Sequence, residues 1–379
     1  MKPLNSDPDV LSVGYFFPAG QTNHVWSDEA SRRVPRMNRN NLLNLAQAAE
    51  QAGFDSLFIA DNWSGHQRAA ERGGHQAPAF HAPLLAMGIF AVTEHIGVIT
   101  TLHTTHHRPA HVARMGAALD AFSDGRWGWN AVTGHAEPEA ALFGEPFVEH
   151  DKRYAMAAEF VDVVQQLWRE EGSIDHIGKY YRSQGRIKAP RPVQRPRPMI
   201  VSAGASSAGT AFAAEWCDAL VTLARTEDDV RSLDQRLQGQ LRGRHVTSWP
   251  FAICIVREGD GEAEEEYNHL LRSLNADAAW EIAGDILGSI ETAQAMFDRL
   301  GRDEAVRAIG SGSAMLQLIG TPDQVAEQLI SLKRNTGAGG VLINFPLWSP
   351  RELSDFGAVL RRLEDAGVRT APASREYSW

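Results

Sequence analysis

The chain holds 379 residues, 43% hydrophobic and 22% charged, an ordinary globular composition with enough length to bury a large core. A net charge of −10 leaves no surplus of Lys and Arg to neutralise phosphates, which argues against a nucleic-acid partner. No apolar run reaches the ~18 residues of a membrane span and MKPLNSDPDV carries no apolar signal region, so no membrane partner is expected and the cytoplasm is the expected compartment.

Short β-rich runs alternate with helical segments along the whole chain. VGYFF (13–17) comes first. Leu42, Leu45, Ala46 and Ala49 then recur at helical spacing, with Gly53 where a glycine ends a helix. SLFIA (56–60), IGVITT (96–101) and RWGWNAV (126–132) follow, then MIVSA (199–203), DALVTL (218–223), FAICIV (251–256) and VLINF (341–345). Each is nearly continuous in apolar residues, as strands buried on both faces are. TPDQ (321–324) and SPRE (349–352) spell capping boxes with Pro at the first helical position. Cys217 and Cys254 sit among apolar neighbours as small buried hydrophobes rather than a disulfide.

Eight strands alternating with helices predict an α/β fold, a (β/α)₈ TIM barrel, as one domain over 1–379. An open doubly wound sheet is the alternative, but no Gly-rich dinucleotide fingerprint follows the first strand. Two stretches exceed a bare barrel. Residues 172–197 read as a hairpin and a Pro-rich segment before strand five, and residues 258–320 as a mostly helical insertion between strands seven and eight.

Barrel chemistry gathers at the C-terminal ends of the strands. Those ends hold Asp61 and Asn62 after strand two, Thr101 to Thr104 after three, Asn130 to His135 after four, and Gly204 to Ser207 after five. SAGASSAGTAFAAEW (202–216) runs from a strand through a small-residue turn straight into a helix. Free N–H groups and two hydroxyls there suit an anion such as phosphate, although an ordinary Ser N-cap reads the same way. His150 and Tyr154, four apart in EHDKRY, share a helix face and suit the same phosphate, or are plain surface residues. HTTHHRPAH (103–111) clusters histidines without a recognisable ligand spacing, so no metal is expected and His103 reads better as a substrate or cofactor neighbour. Of Trp127 and Trp129, one is expected to face the helices as core.

VARMGAALDAFSDGRWGWNAVTGH, FGEPFVEHDKRYAMAAEFVDVVQQLW, APRPVQRPRPMIVSAGASSAGTAFAA and LIGTPDQVAEQLISLK, in this order, resemble the bacterial luciferase-like flavin-dependent monooxygenases. They are most similar to the branch of alkanesulfonate, dimethyl sulfone and pyrimidine-ring monooxygenases. The resemblance implies a TIM barrel that takes FMN as FMNH2 from a separate NAD(P)H-dependent flavin reductase, uses O2, and oxygenates a small organic substrate. A homo-oligomer, dimer or tetramer, is expected with it. By position the implied flavin contacts are Asp61, Asn62, Thr101, Asn130, Glu139, His150, Arg153, Tyr154, Gly204, Ser206 and Ser207. The implied catalytic group is Asn130, Thr101, His135 and His103.

Departures from that pattern narrow the substrate. Phe251 and Ile253 stand where the alkanesulfonate enzymes carry Arg and His, AIGSGS (308–313) lacks their loop arginine, and Asn62 replaces the lysine of the pyrimidine branch. A neutral or modestly polar sulfone, amide or heterocycle fits better than a sulfonate. A deazaflavin (F420)-dependent oxidoreductase and a catalytically silent flavin-binding barrel are the alternatives on the same scaffold.

Overall fold

The computed structural model describes residues 9–22, 24–64, 68–75, 77–134, 136–169, 173–204, 206–287 and 298–371, with the side chains of 68–70 and 282–287 outside that description. Eight parallel strands close into a barrel: β1 (Ser12–Phe17), β2 (Ser56–Ile59), β3 (Gly97–His103), β4 (Trp127–Val132), β7 (Met199–Ser202), β8 (Ala219–Thr222), β9 (Thr247–Val256) and β11 (Gly340–Asn344). Pairing of β1 with β11 on one side and of β8 with β9 on the other seals the ring. All eight runs read from the sequence are these strands. Their alternating side chains feed two cores, one between the strands and the surrounding helices and one inside the barrel around Phe16, Phe58, Ile99 and Phe251.

Local signals fix the helix ends. Asn38 caps the helix Arg39–Ala52, and Gly53 leaves it at φ 100°, a region that a side chain resists. Thr321 and Gln324 form the full reciprocal box ahead of the helix Pro322–Asn335. At 349–352 only half of the expected box forms. Ser349 caps the Glu352 N–H, but the Glu352 carboxylate turns inward to the Arg257 guanidinium, with both contacts at 2.9 Å. A buried cation outcompetes a neutral backbone N–H for that carboxylate.

The first insertion is an antiparallel hairpin, β5 (Ser173–Ile177) and β6 (Arg182–Arg186), followed by the Pro-rich stretch. Glu159 pins its turn by accepting the N–H groups of Tyr180 and Tyr181. The second insertion is mostly helical, as expected, but it ends in a strand that sequence patterning missed, β10 (Leu316–Gly320). β10 pairs with residues 252–256 of β9, beyond Pro250, where β8 stops. Its five residues carry polar Gln317 at the second position and end in Gly320, which hides the strand pattern. A second correction concerns the tryptophans. Trp127 and Trp129 both face the helices, each edge-on to Trp168, because residues two apart on a strand share a face. No helix among the described residues is long and apolar enough to cross a membrane.

Candidate active site

Strand register assembles the centre of the site. Thr101 on β3 is the partner of Asn130 on β4, which in turn is the partner of Val201 on β7. Since Val98, Leu102, Trp127 and Trp129 pack outward, Thr101, His103 and Asn130 point into the barrel mouth. Asn130 Nδ2 donates to Thr101 Oγ1 at 2.9 Å, and both residues are almost fully buried. Asn130 Oδ1 is buried with no hydrogen-bond partner. Such an oxygen costs about 1–3 kcal/mol unless a donor reaches it, so a hydrogen-bond donor placed there would be stabilising.

A few residues beyond Val201 on the neighbouring strand, the chain turns through Gly204 into the helix Ser207–Trp216. Ser206 caps this helix through its Oγ, which accepts the Gly209 N–H at 3.1 Å. The ordinary cap is therefore real, and the hydroxyls of exposed Ser206 and Ser207 still border the helix N-terminus. Tyr154 lies against the turn so closely that a Cβ on Gly204 would fall 2.0 Å from its Oη, and one on Gly209 would fall 2.5 Å from the Gly204 carbonyl oxygen. Two glycines thus let the Tyr154 hydroxyl close on the turn at a helix N-terminus, which the helix dipole makes attractive to an anion. Burial raises the Tyr154 pKa, and hydrogen bonds with Ser206 and Thr133 offset part of the rise, so the hydroxyl stays protonated as a donor.

His150 packs edge-on to Tyr154 at 5.2 Å, but it is exposed and its Nδ1 meets Asp151 at 2.7 Å. Arg153 is buried, with Nη1 donating to the Val148 carbonyl and the guanidinium 4.7 Å from the Phe147 ring centre. Burial lowers its pKa without neutralising it.

A third group borders the mouth. Glu139, almost wholly buried, accepts the Trp63 N–H at 2.8 Å, and its Oε2 lies 3.6 Å from His103 Nε2 and 3.8 Å from His106 Nε2. Burial holds the His103 pKa down to about 4 against the pull of Glu139, so the ring is neutral at physiological pH. Trp63 meets Phe143 edge-to-face at 5.1 Å, and His106 stacks on the same Phe143 at 4.6 Å. Asp61 spends one carboxylate oxygen on structure, taking the Ala82 N–H and His81 Nδ1 at 2.7 Å each, so it starts the helix Ala82–Phe90. Asn62 is half-buried between Asp61 and Trp63. His135 lies outside the described residues. No group of three or more His, Cys, Asp or Glu gathers as metal ligands among the described residues.

The structure therefore joins Thr101 with Asn130, Tyr154 with Gly204 and Ser206, and Glu139 with His103. Trp63 and Phe143 were not singled out from sequence, and Thr133 only as one of the residues after strand four. Their positions just past strands β2 and β4 were a usable signal for Trp63 and Thr133, whereas Phe143 reads as an unremarkable loop aromatic. On the far wall, Phe251 and Ile253 both point inward, with Phe251 5.1 Å from Phe16 and 5.5 Å from His24. That wall is aromatic and uncharged: burial keeps His24 near a pKa of about 4.

The chain matches the luciferase-like monooxygenase family over residues 11–339. It is 32% identical to a polypeptide of the pristinamycin IIA synthase of Streptomyces pristinaespiralis, across 89% of this chain and 87% of that one. It is 29% identical to nitrilotriacetate monooxygenase component A of Aminobacter aminovorans, across 86% and 85% of the two chains. The crystal structure of a long-chain alkane monooxygenase superposes with a TM-score of 0.84 at 23% identity, over 95% of this chain and 92% of that one. The chain belongs to the luciferase-like monooxygenase family and is a flavin-dependent monooxygenase.

Proposed function

We propose that this protein oxygenates a small, uncharged organic substrate with O2, using FMN in its reduced form delivered by a separate NAD(P)H-dependent flavin reductase. The observation that carries the reading is the buried, unpartnered Asn130 Oδ1 on the strand next to the glycine cradle of Gly204. The Asn130 carbonyl oxygen waits for a donor at the barrel mouth, and an anion site lies beside it in the turn that follows β7. That spacing of functions suits a mononucleotide with one phosphate and a polar ring edge. The designation "component A" of the nitrilotriacetate relative supports a partner protein as the source of reducing equivalents.

When bound, reduced FMN supplies the electrons that activate O2. The chain's own residues bind, orient and shield. The N-terminal N–H groups of the Ser207–Trp216 helix, the Ser206 and Ser207 hydroxyls and Tyr154 Oη would hold the phosphate, with Arg153 and His150 on the same helix as Tyr154. Thr101 Oγ1 and Asn130 Oδ1 would orient the ring edge. Trp63, Phe143 and the Phe16–Phe251 wall would limit the access of water, which otherwise diverts activated oxygen to hydrogen peroxide. His103, neutral, offers one donor and one acceptor nitrogen rather than a fixed charge. Titration with FMN, reduced FMN, FAD and F420, followed by oxygen uptake in the presence of a flavin reductase and candidate substrates, tests the reading. Tighter binding of reduced FMN than of FAD or F420, with substrate-dependent oxygen uptake, is expected. Binding of F420 alone, or flavin binding with no substrate that is oxygenated, overturns it.

A further inference from the structure

Ile253 on β9 has a polar partner on each side. In register, Gln317 of β10 lies against one edge and Asn344 of β11 against the other. Partners in parallel strands point to the same face, and the Ile253 side chain belongs to the barrel interior, so both carboxamides face inward at the mouth. Their Cα atoms stand two strand spacings apart, about 10 Å. Both present a buried carbonyl oxygen with no hydrogen-bond partner, Gln317 Oε1 and Asn344 Oδ1.

The neighbours of Gln317 fix which end of its amide is free. Gln317 Nε2 donates to the carbonyls of Gly312 and Met315 at 3.0 and 3.3 Å, groups that only accept, so the oxygen is the end left over. Asn344 Nδ2 lies 3.0 Å from His24 Nδ1. Burial keeps that imidazole neutral, and in the tautomer with its hydrogen on Nε2 the Nδ1 lone pair accepts the amide hydrogen and leaves Asn344 Oδ1 over. Aromatic rings frame the pair: His24 packs on Phe16 at 4.8 Å and on Phe251 at 5.5 Å. Gly312, at φ 72°, presses its backbone onto this row. A Cβ there would come within 2.7 Å of the Ile253 side chain and 3.2 Å of the His24 carbonyl oxygen, so the loop before β10 roofs the sector. None of these groups lies on β3, β4 or β7, where the phosphate turn and the Thr101–Asn130 pair sit.

We infer that this sector is the substrate-recognition wall, and that its ligand is an uncharged planar ring carrying hydrogen-bond donors at two separated positions, one for Gln317 Oε1 and one for Asn344 Oδ1. The inference rests on reading the barrel mouth as an oxygenase site, and it narrows the substrate from any neutral organic molecule to an aromatic or heteroaromatic diol, diamine or lactam. Two carbonyl oxygens repel carboxylates and sulfonates. Aromatic walls favour a flat ring, and two buried acceptors penalise any molecule that cannot donate to them.

The test is direct ligand binding, measured by calorimetry on the full chain with 2,6-dihydroxynaphthalene, 2,6-dimethoxynaphthalene and naphthalene-2,6-dicarboxylate. The three share one flat ring and differ in donors and charge. The diol should bind at least tenfold more tightly than the dimethyl ether, and the dicarboxylate should not compete. Asn344→Leu and Gln317→Met, similar in shape and without the acceptor, should each bring diol affinity down toward that of the ether, with unchanged circular dichroism and FMN affinity showing that the barrel is intact. Equal affinity for diol and ether, tighter binding of the dicarboxylate, or no diol binding at millimolar concentration overturns the inference. The comparison among the three ligands needs no variant, so a misfolded substitution leaves it standing as a test. FMN titration reports separately on the cofactor reading: flavin binding without diol preference sinks only the wall, and diol preference without flavin binding sinks only the cofactor assignment.

Discussion

Asn130 gives one amide hydrogen to Thr101 across the β3–β4 register and keeps its carbonyl oxygen buried and unclaimed. The geometry turns a strand pair into an oriented acceptor at the barrel mouth. Asn130→Ala should leave FMN binding within a few-fold of the parent, because the phosphate cradle on β7 is untouched. The ratio of oxygenated product to hydrogen peroxide should fall by about tenfold, the worth of roughly one hydrogen bond to a buried group. Wild-type coupling in a folded Asn130→Ala protein would make Asn130 a packing residue.

Gly204 and Tyr154 occupy space that a methyl group would contest. Gly204→Ala should lower FMN affinity by more than tenfold and destabilise the fold by about 1–3 kcal/mol, the usual cost of forcing an atom into a filled site. Adding Tyr154→Phe removes the oxygen 2.0 Å from the new Cβ, so the double variant should regain stability. It should not regain flavin affinity, because the hydroxyl donor is lost as well. Thermal unfolding and fluorescence titration of the four proteins separate the two effects.

Arg257 and Glu352 form a buried two-pronged ion pair that joins the end of β9 to the helix Pro350–Asp365. Burial pushes the Glu352 carboxyl pKa up, and the guanidinium pulls part of that back. Arg257→Met strands the carboxylate and should cost about 3–5 kcal/mol, whereas Arg257→Met with Glu352→Leu should cost far less. Denaturant unfolding of both variants checks the prediction, and equal losses would refute it.

One buried imidazole, His103, and one half-buried imidazole, His24, should make the protein acid-sensitive in a defined window. Burial depresses the folded pKa of both His24 and His103 to about 4, below the unfolded value near 6.5. Between these values the unfolded chain binds more protons than the folded one. Their contribution is therefore complete above about pH 6.5 and is lost as the pH falls toward 4. Each ring accounts for up to about 3 kcal/mol across that range. Unfolding free energies at pH 7, 6 and 5 should decline, and His24→Phe should flatten the slope. An unchanged slope in that variant would show that His24 titrates normally.

The sequence by itself determined the barrel. Eight apolar runs, helix caps such as Asn38 and Thr321, and the Gly53 stop are local signals, carried by side-chain periodicity and by backbone groups that need partners within a few residues. The positions proposed for the cofactor side, Thr101, Asn130, Tyr154 and Gly204, were also legible, because strand ends and a strand–turn–helix junction can be counted along the chain. Only the tertiary structure decided which of these groups meet and which are spent. Asp61 goes to His81 and a helix start, Glu352 leaves its cap for Arg257 some ninety residues away in sequence, and Trp127 and Trp129 share the outer face. The Gln317–Ile253–Asn344 row was invisible for the same reason. It joins three strands distant in sequence, and its chemistry lies in two carbonyl oxygens left without partners, a property that exists only after every other hydrogen bond has been placed.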